Sequence, residues 1–379
     1  MDEIEAKRGA RAKAITKRWR GIALAFVAGC ALLAAVLLWP MNTARYLAVD
    51  ASGEIVDRRG ETLMAFLNRE EQWCFPRPLK EISPYLVKAT IAAEDQRFRE
   101  HPGVDPIAVI RAASQNLRSQ GVVSGASTLT MQVVKNGPAS SRSWVGKALQ
   151  TIDAIRLDAR VSKDRILETY LNSAPYGLNL VGCEAAARRY FGVPARELDI
   201  AEAALLAGLP KSPTGFMPLA HPEEARQRRD YVLGRMLEEG YIDQKDFDRA
   251  IDTPLDVSWH EYPMLSPHLA MRLEPRAHTQ GRVITTLDLT IQAKVESIVA
   301  EHMARWSGEI TNAAVLVVDV DTASVLARIG SGGFFHTPGG GQVDACRALR
   351  SPGSTLKPFI YGYAMENDLV YPCETLYDG

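Results

Sequence analysis

An uncharged run of nineteen residues, Gly21 to Trp39, most restricts how this chain can fold. At about 1.5 Å of rise per helical residue it nearly spans the ~30 Å hydrocarbon core of a bilayer. Residues 1–20 carry Lys7, Arg8, Arg11, Lys13, Lys17, Arg18 and Arg20 against three acids. Basic residues before a span and few after it predict a cytoplasmic tail over 1–20 and a transmembrane helix over 21–39. Everything from about residue 41 then lies outside the plasma membrane, in the periplasm or its equivalent. A cleavable signal peptide has a shorter apolar core and a small-residue cleavage site, whereas this run ends Leu37-Leu38-Trp39-Pro40. Val27-Ala28-Gly29-Cys30 is similar to a lipoprotein cleavage box, but nine apolar residues follow Cys30, which places it in mid-span.

The 379 residues have room for two or three domains, and a net charge of −1 gives no reason to expect nucleic acid as a partner. Cys74, Cys183, Cys346 and Cys373 show neither CxxC nor metal-like spacing, so scattered free or buried thiols are expected and no disulfide is legible. Val49 to Cys74 alternates apolar and polar residues around Asp50-Ala51-Ser52-Gly53 and Arg58-Arg59-Gly60, as short strands with tight turns do. From Pro84 to about Leu237 the apolar spacing is helical. It predicts helices over Leu86–Ala93, Pro106–Leu117, Trp144–Val161 and Arg165–Leu171, the last capped by Ser162. Ile200–Leu209 is nearly all Ala and Leu, which suits a buried helix or one lying at the bilayer surface. Beyond residue 255 the pattern becomes strand-like, at Val283–Leu287, Ala313–Val320 and Ser324–Ile329, followed by a Gly-rich loop.

Two blocks carry the chemistry. Glu94-Asp95-Gln96-Arg97-Phe98-Arg99-Glu100-His101-Pro102-Gly103 puts an acidic pair at the end of an apolar helix, then Phe and His at three-residue steps, then a Pro-Gly break. Alone it reads as an ordinary charged helix end. The second block, Gly125-Ala126-Ser127-Thr128-Leu129-Thr130-Met131-Gln132, is small, hydroxyl-rich and flexible, as a loop gripping a polar substrate is. A group-transfer reaction in which a hydroxyl attacks and an anion leaves needs a carboxylate to take the proton and cations or donors to neutralise the leaving group. Glu94 suits the first task. Ser127, Thr128 and Gln132 suit the holding of sugar or phosphate oxygens, and Lys135 and Lys147 supply positive charge.

Together these blocks resemble the first two signature motifs of the peptidoglycan glycosyltransferases, the family fused to transpeptidases in class A penicillin-binding proteins. Gln132-x-x-Lys135-Asn136, Ser162-Lys163, Ile166-Leu167-Glu168-x-Tyr170-Leu171-Asn172, Gly177 and Ala203–Pro210 with Pro213 extend the resemblance over about residues 45–245. It implies a mainly α, lysozyme-like glycosyltransferase domain over 45–250. That domain would polymerise lipid II into β-1,4 glycan strands, with inversion at the anomeric carbon and a divalent cation, Mg2+ or Mn2+, assisting. Glu94 would be the general base, with Asp95, Phe98 and His101 positioning it and shaping the cleft, and Asn136 joining the substrate-binding set. Lipid II, the growing glycan strand, the bilayer and other cell-wall synthesis proteins are the implied partners.

One departure stands out. The family's third motif, Arg-Lys-x-x-Glu, falls on Gly146-Lys147-Ala148-Leu149-Gln150, so Gln150 occupies the second glutamate's position. A glutamine hydrogen-bonds but neither accepts a proton nor balances a metal's charge. This feature resembles the 1C branch of the family.

Arg350-Ser351-Pro352-Gly353-Ser354-Thr355-Leu356-Lys357-Pro358 contains a Ser-x-x-Lys, which on a helix puts both side chains on one face. With the strand pattern at 313–329 it resembles the opening of an α/β penicillin-binding transpeptidase domain over 283–379, behind a linker at 251–282. The resemblance makes Ser354 the acyl nucleophile and Lys357 its proton acceptor. Neither Ser-x-Asn nor Lys-Thr-Gly follows before Gly379, so neither acylation by penicillin nor peptide cross-linking is expected of this chain. Two rivals to the synthase remain: a lysozyme-like glycan hydrolase and a non-catalytic lipid II-binding scaffold.

Overall fold

The computed structural model describes residues 35–119, 127–137, 144–306, 309–336, 339–349 and 351–375. The basic tail, Gly125, Ala126, Arg350 and most of the expected span over 21–39 lie outside them. No helix among the described residues is long and apolar enough to cross a membrane. The chain divides into two compact units. One comprises residues up to Ile55, Ala65–Pro263 and Glu274–Val283; the other comprises Val56–Met64, Met264–Leu273 and Ile284–Gly379.

Strands β1 (Gly53–Val56) and β2 (Thr62–Phe66) fall within the alternating stretch. The turn between them is closed by Asp57, whose Oδ1 accepts the Arg59 and Glu61 N–H groups at 2.7 and 2.9 Å. From Pro84 to Asp252 the described residues of the first unit are mostly helical. Helix α1 (Pro84–Glu94) starts with Pro84 and a Ser83 cap that accepts the Tyr85 N–H at 3.3 Å. It buries Leu86, Ala89, Ile91 and Ala92 and ends on Glu94. Helices α2 (Pro106–Ser119), α3 (Leu129–Asn136), α4 (Trp144–Asp158) and α5 (Lys163–Ser173) follow. Helix α4 stops short of the predicted Val161, because Ser162 caps α5 by accepting the Arg165 N–H and the chain must turn before it.

Next come α6 (Cys183–Phe191), α7 (Ile200–Gly208), α8 (Pro222–Glu238) and α9 (Gln244–Asp252). Of the two settings open for the Ala/Leu helix, the buried one holds: Ala201 and Ala203–Gly208 are buried, between α1 and α8. Its start is fixed by reciprocal Asp199 and Glu202 caps. Two buried carboxylates, Glu54 and Glu184, are each held by both Arg77 and Arg188 at 2.8–3.3 Å, so neither charge is left unpaired. Cys74 and Cys183 are buried free thiols; burial pushes the Cys74 thiol up to about 12 and that of Cys183 higher, which keeps both inert. Cys346 is half-buried and Cys373 exposed, both free.

Residues 251–282 hold helix α10 (Pro267–Gln280), and β3 (Arg282–Ile284) follows. The strand is shorter than Val283–Leu287, because Asp288 caps α11 (Leu289–Arg305) with its side chain and the backbone leaves the extended region first. In the second unit β4 (Val315–Val318) pairs antiparallel with β5 (Val325–Ile329), Val315 opposite Ile329, with a bulge at Val317/Val318. Helix α11 packs on β5, and buried Gln292 ties them by accepting the Arg328 N–H at 2.8 Å and donating to the Arg328 carbonyl at 3.2 Å. A 3-10 turn at Gly353–Leu356 leads into α12 (Lys357–Glu366), with Pro358 in its first turn as the sequence requires.

Candidate active site

The end of α1, the loop after it and the start of α3 form the candidate site. Glu94 is the last residue of α1, with its side chain 12% exposed. Its Oε2 accepts a hydrogen bond from Gln132 Nε2 at 2.7 Å. Its Oε1 faces Arg228 Nη2 of α8 at 3.7 Å, an ion pair beyond hydrogen-bond reach. Next to it Asp95 turns the other way. Both of its oxygens meet His101 Nε2, at 2.9 and 3.0 Å, and Oδ2 also accepts the Leu129 N–H at 3.0 Å. Asp95 therefore pins the first motif to the first turn of α3.

The loop after α1 is fastened from several sides. Thr128 Oγ1 donates to the Gly103 carbonyl at 2.6 Å and accepts the Met131 N–H as the cap of α3. Lys163 reaches from α5 to donate to the His101 carbonyl and to Asp158, both at 2.6 Å, with its ammonium 4.6 Å from the centre of the Phe98 ring. Phe98 is wholly buried, so it and His101 build the wall of the site from behind. Gly103 has φ +83°, and a Cβ there would stand 2.5 Å from the Ala154 carbonyl oxygen of α4. Gly103→Ala is expected to cost about 2–4 kcal/mol through strain and overpacking. Thermal unfolding monitored by circular dichroism checks this; an unchanged midpoint would contradict the packing of this loop against α4.

A cleft of about 390 Å3 opens in front, lined among others by Glu94, Asp95, Arg97, Asp105, Arg111, Ser127, Thr128, Tyr231 and Arg235. Arg97 pairs with Asp105, its Nε 3.1 Å from Oδ2. Asp105 also caps α2 by accepting the Ile107 and Ala108 N–H groups at 2.9 Å. Burial alone would raise the Asp105 carboxyl, but the Ala108 N–H and the Arg97 guanidinium outweigh it and hold it below the usual carboxylate value. A carboxyl depressed by folding contributes stability that is full above its unfolded pKa, about 3.9, and is lost as pH falls through the lower folded value. The stability gap between the parent and Asp105→Asn is therefore expected to be full at pH 6 and to narrow as pH falls through the unfolded carboxyl range and below it, read as denaturation midpoints against pH. A gap independent of pH would contradict the carboxylate's part.

The residues marked out in the sequence divide clearly. Glu94, Asp95, Ser127 and Thr128 line the cleft, and Gln132 reaches Glu94 from α3. The Thr128 hydroxyl, read as a substrate contact, is buried and spent on the cap and on Gly103. Lys135 and Lys147 are exposed and bear no ion pair among the described residues; neither they nor Asn136 line this cleft. Asn136 donates to the Ser173 carbonyl at 3.4 Å. Gln150 is half-buried on α4 and makes no hydrogen bond to Glu94. Ser354 and Lys357 are both exposed, with no hydrogen bond between hydroxyl and amine. Arg228, Tyr231 and Arg235 were not read from the sequence, although their spacing marks one face of a helix.

Among the described residues the donors around Glu94 do not converge as a divalent cation requires. No three His, Cys, Asp or Glu side chains converge among the described residues, and both Glu94 oxygens face nitrogen donors.

Such a helical unit, with one buried-sided carboxylate over a polar cleft, has the parts of a glycosyl-transfer site. Residues 59–237 match the transglycosylase family model, and this part of the chain belongs to that family. Along nearly its whole length the chain is similar to penicillin-binding protein 1C of Escherichia coli (strain K12), 35% identical over 370 residues that cover 96% of this chain and 47% of that protein. It is likewise 35% identical over 306 residues to penicillin-binding protein 2D of Bacillus subtilis (strain 168), covering 76% of this chain and 44% of that one. Penicillin-binding protein 1A of E. coli (strain K12) is 37% identical over 266 residues, covering 67% and 30%. The chain thus spans less than half the length of each of these relatives. The resemblance expected from the motifs, to class A penicillin-binding proteins of the 1C type, is borne out.

Proposed function

We propose that the helical unit is a peptidoglycan glycosyltransferase that polymerises lipid II into β-1,4 glycan strands. The observation that carries this reading is Glu94, with one oxygen held by Gln132 and the other free of hydrogen bonds at the edge of a polar cleft. In the reaction the acceptor's 4-hydroxyl attacks the anomeric carbon and gives its proton to Glu94. The bond from that carbon to the diphosphate breaks on the opposite face, which inverts the configuration. Ser127 and the Arg97–Asp105 pair border the space where sugar and phosphate oxygens lie, and Arg111 on the same lining brings positive charge to the side of the leaving diphosphate. No step is assigned to a metal.

The same reading takes the helical unit as lysozyme-like, residues 21–39 as the anchor that brings it to a lipid-linked donor, and 283–379 as the opening of a transpeptidase domain, with Ser354 and Lys357 at its nucleophile positions. The bilayer and other cell-wall synthesis proteins are its proposed partners. Purified chain is incubated with lipid II and, separately, with preformed glycan, and the products are sized. Chain growth from lipid II is the expected result. Shortening of the polymer without growth would make the protein a hydrolase instead.

A further inference from the structure

Arg228 is only 6% exposed at its side chain, and a guanidinium removed from water needs a counter-charge. Glu94 provides it, at 3.7 Å. The arginine is held back from closing that gap. Its Nε donates to the Gly208 carbonyl at 3.2 Å, and its guanidinium lies 4.8 Å from the centre of the Tyr231 ring. The seat depends on the missing side chain of Gly208, where a Cβ would meet Arg228 Cγ at 2.7 Å. The two Glu94 oxygens are thereby made unequal: Oε2 is engaged by Gln132, while Oε1 feels a positive charge yet keeps its lone pairs.

We propose that Arg228, seated on Gly208, is the positioning residue for Glu94: it holds the carboxylate in place and reserves Oε1 as the atom that takes the acceptor's proton. The inference rests on the glycosyl-transfer reading above. In the step, the acceptor O–H bond breaks and its proton goes to Oε1. The freed electron pair forms the bond to the anomeric carbon, and the pair of the broken carbon–oxygen bond leaves on the diphosphate.

The other groups around Glu94 do not take this part. Asp95 is occupied by His101 and Leu129. Tyr170 and Tyr176 are wholly buried, and burial, with the nearby Glu94 charge, raises both well above the ordinary tyrosine value, so they stay neutral. Of the cations in the cleft, Arg97 is matched by Asp105, Arg235 by Glu238 and Glu239, and Arg111 stands on α2 across the same space. Tyr231 is stacked under Arg228 itself.

The test is the split between kcat and KM for lipid II polymerisation in the parent, Arg228→Lys, Arg228→Met and Gly208→Ala. A residue that aims the general base acts on kcat, so Arg228→Met is expected to lower kcat by about one to two orders of magnitude with KM nearly unchanged. Gly208→Ala is expected to fall partway, and Arg228→Lys, which keeps the charge, to retain most of the rate. A raised KM with kcat unchanged, or equal losses in Arg228→Lys and Arg228→Met, would overturn the proposal; if Arg228→Met does not fold, Gly208→Ala decides. Infrared difference spectra, parent minus Glu94→Gln, read the Glu94 carboxylate stretches without turnover. Those bands are expected to move in Arg228→Met and Gly208→Ala, and unmoved bands would overturn this proposal whether or not the glycosyl-transfer reading holds.

Discussion

Replacing Glu94 by Gln is expected to lower the polymerisation rate by about two to four orders of magnitude, the usual worth of a positioned general base. Glutamine keeps the volume and still accepts the Gln132 hydrogen bond, so lipid II binding is expected to persist while kcat collapses. The motif resemblance sets Gln150, which carries no carboxylate, at the position of a second glutamate. The other carboxylates that line the cleft are occupied: Asp95 is committed to His101 and the Leu129 N–H, and Asp105 to Arg97 and the cap of α2. Steady-state rates with lipid II as both donor and acceptor check this. A variant that retains a tenth or more of the parent rate would take the base role away from Glu94.

Asp95→Ala is expected to be the most damaging change to stability in the site. It strips buried His101 Nε2 and the Leu129 N–H of their acceptor at once, and each buried donor left without a partner costs about 1–3 kcal/mol. A total of about 2–5 kcal/mol is expected, seen as a lower denaturation midpoint, with Asp95→Asn losing less because its amide oxygen still accepts one bond. The first motif and the start of α3 separate as this clamp opens, so activity should fall with stability. A variant that melts like the parent but has lost activity would instead place Asp95 on the substrate.

Much of the fold was legible because local signals and packing agree. Ser162 caps α5 as read, and the Ala/Leu pattern of α7 is that of a helix buried on all sides. The strand expected at Val283–Leu287 fails after Ile284 because the Asp288 cap wins over β-propensity. In the site, the motif residues gave the position of Glu94 but not its partners. Thr128 looked like a substrate hydroxyl because a small, hydroxyl-rich block reads the same whether its oxygens face a ligand or a helix N-terminus; the cap geometry decides it. Arg228 lies far from Glu94 in the chain, on a helix crowded with charges. Nothing local distinguishes it from Arg226, which is half exposed and pairs with Glu223 and Asp230. Burial against Gly208 and the ring of Tyr231 separates them, and burial is a property of the packed helices.

The most direct measurement is the size distribution of products when the detergent-solubilised full chain is given labelled lipid II alone. Growth of long strands that a muramidase cuts back to disaccharide units is the predicted result. Binding of labelled lipid II with no product longer than the substrate would contradict it, and would make the protein a scaffold that holds the lipid-linked sugar without joining it.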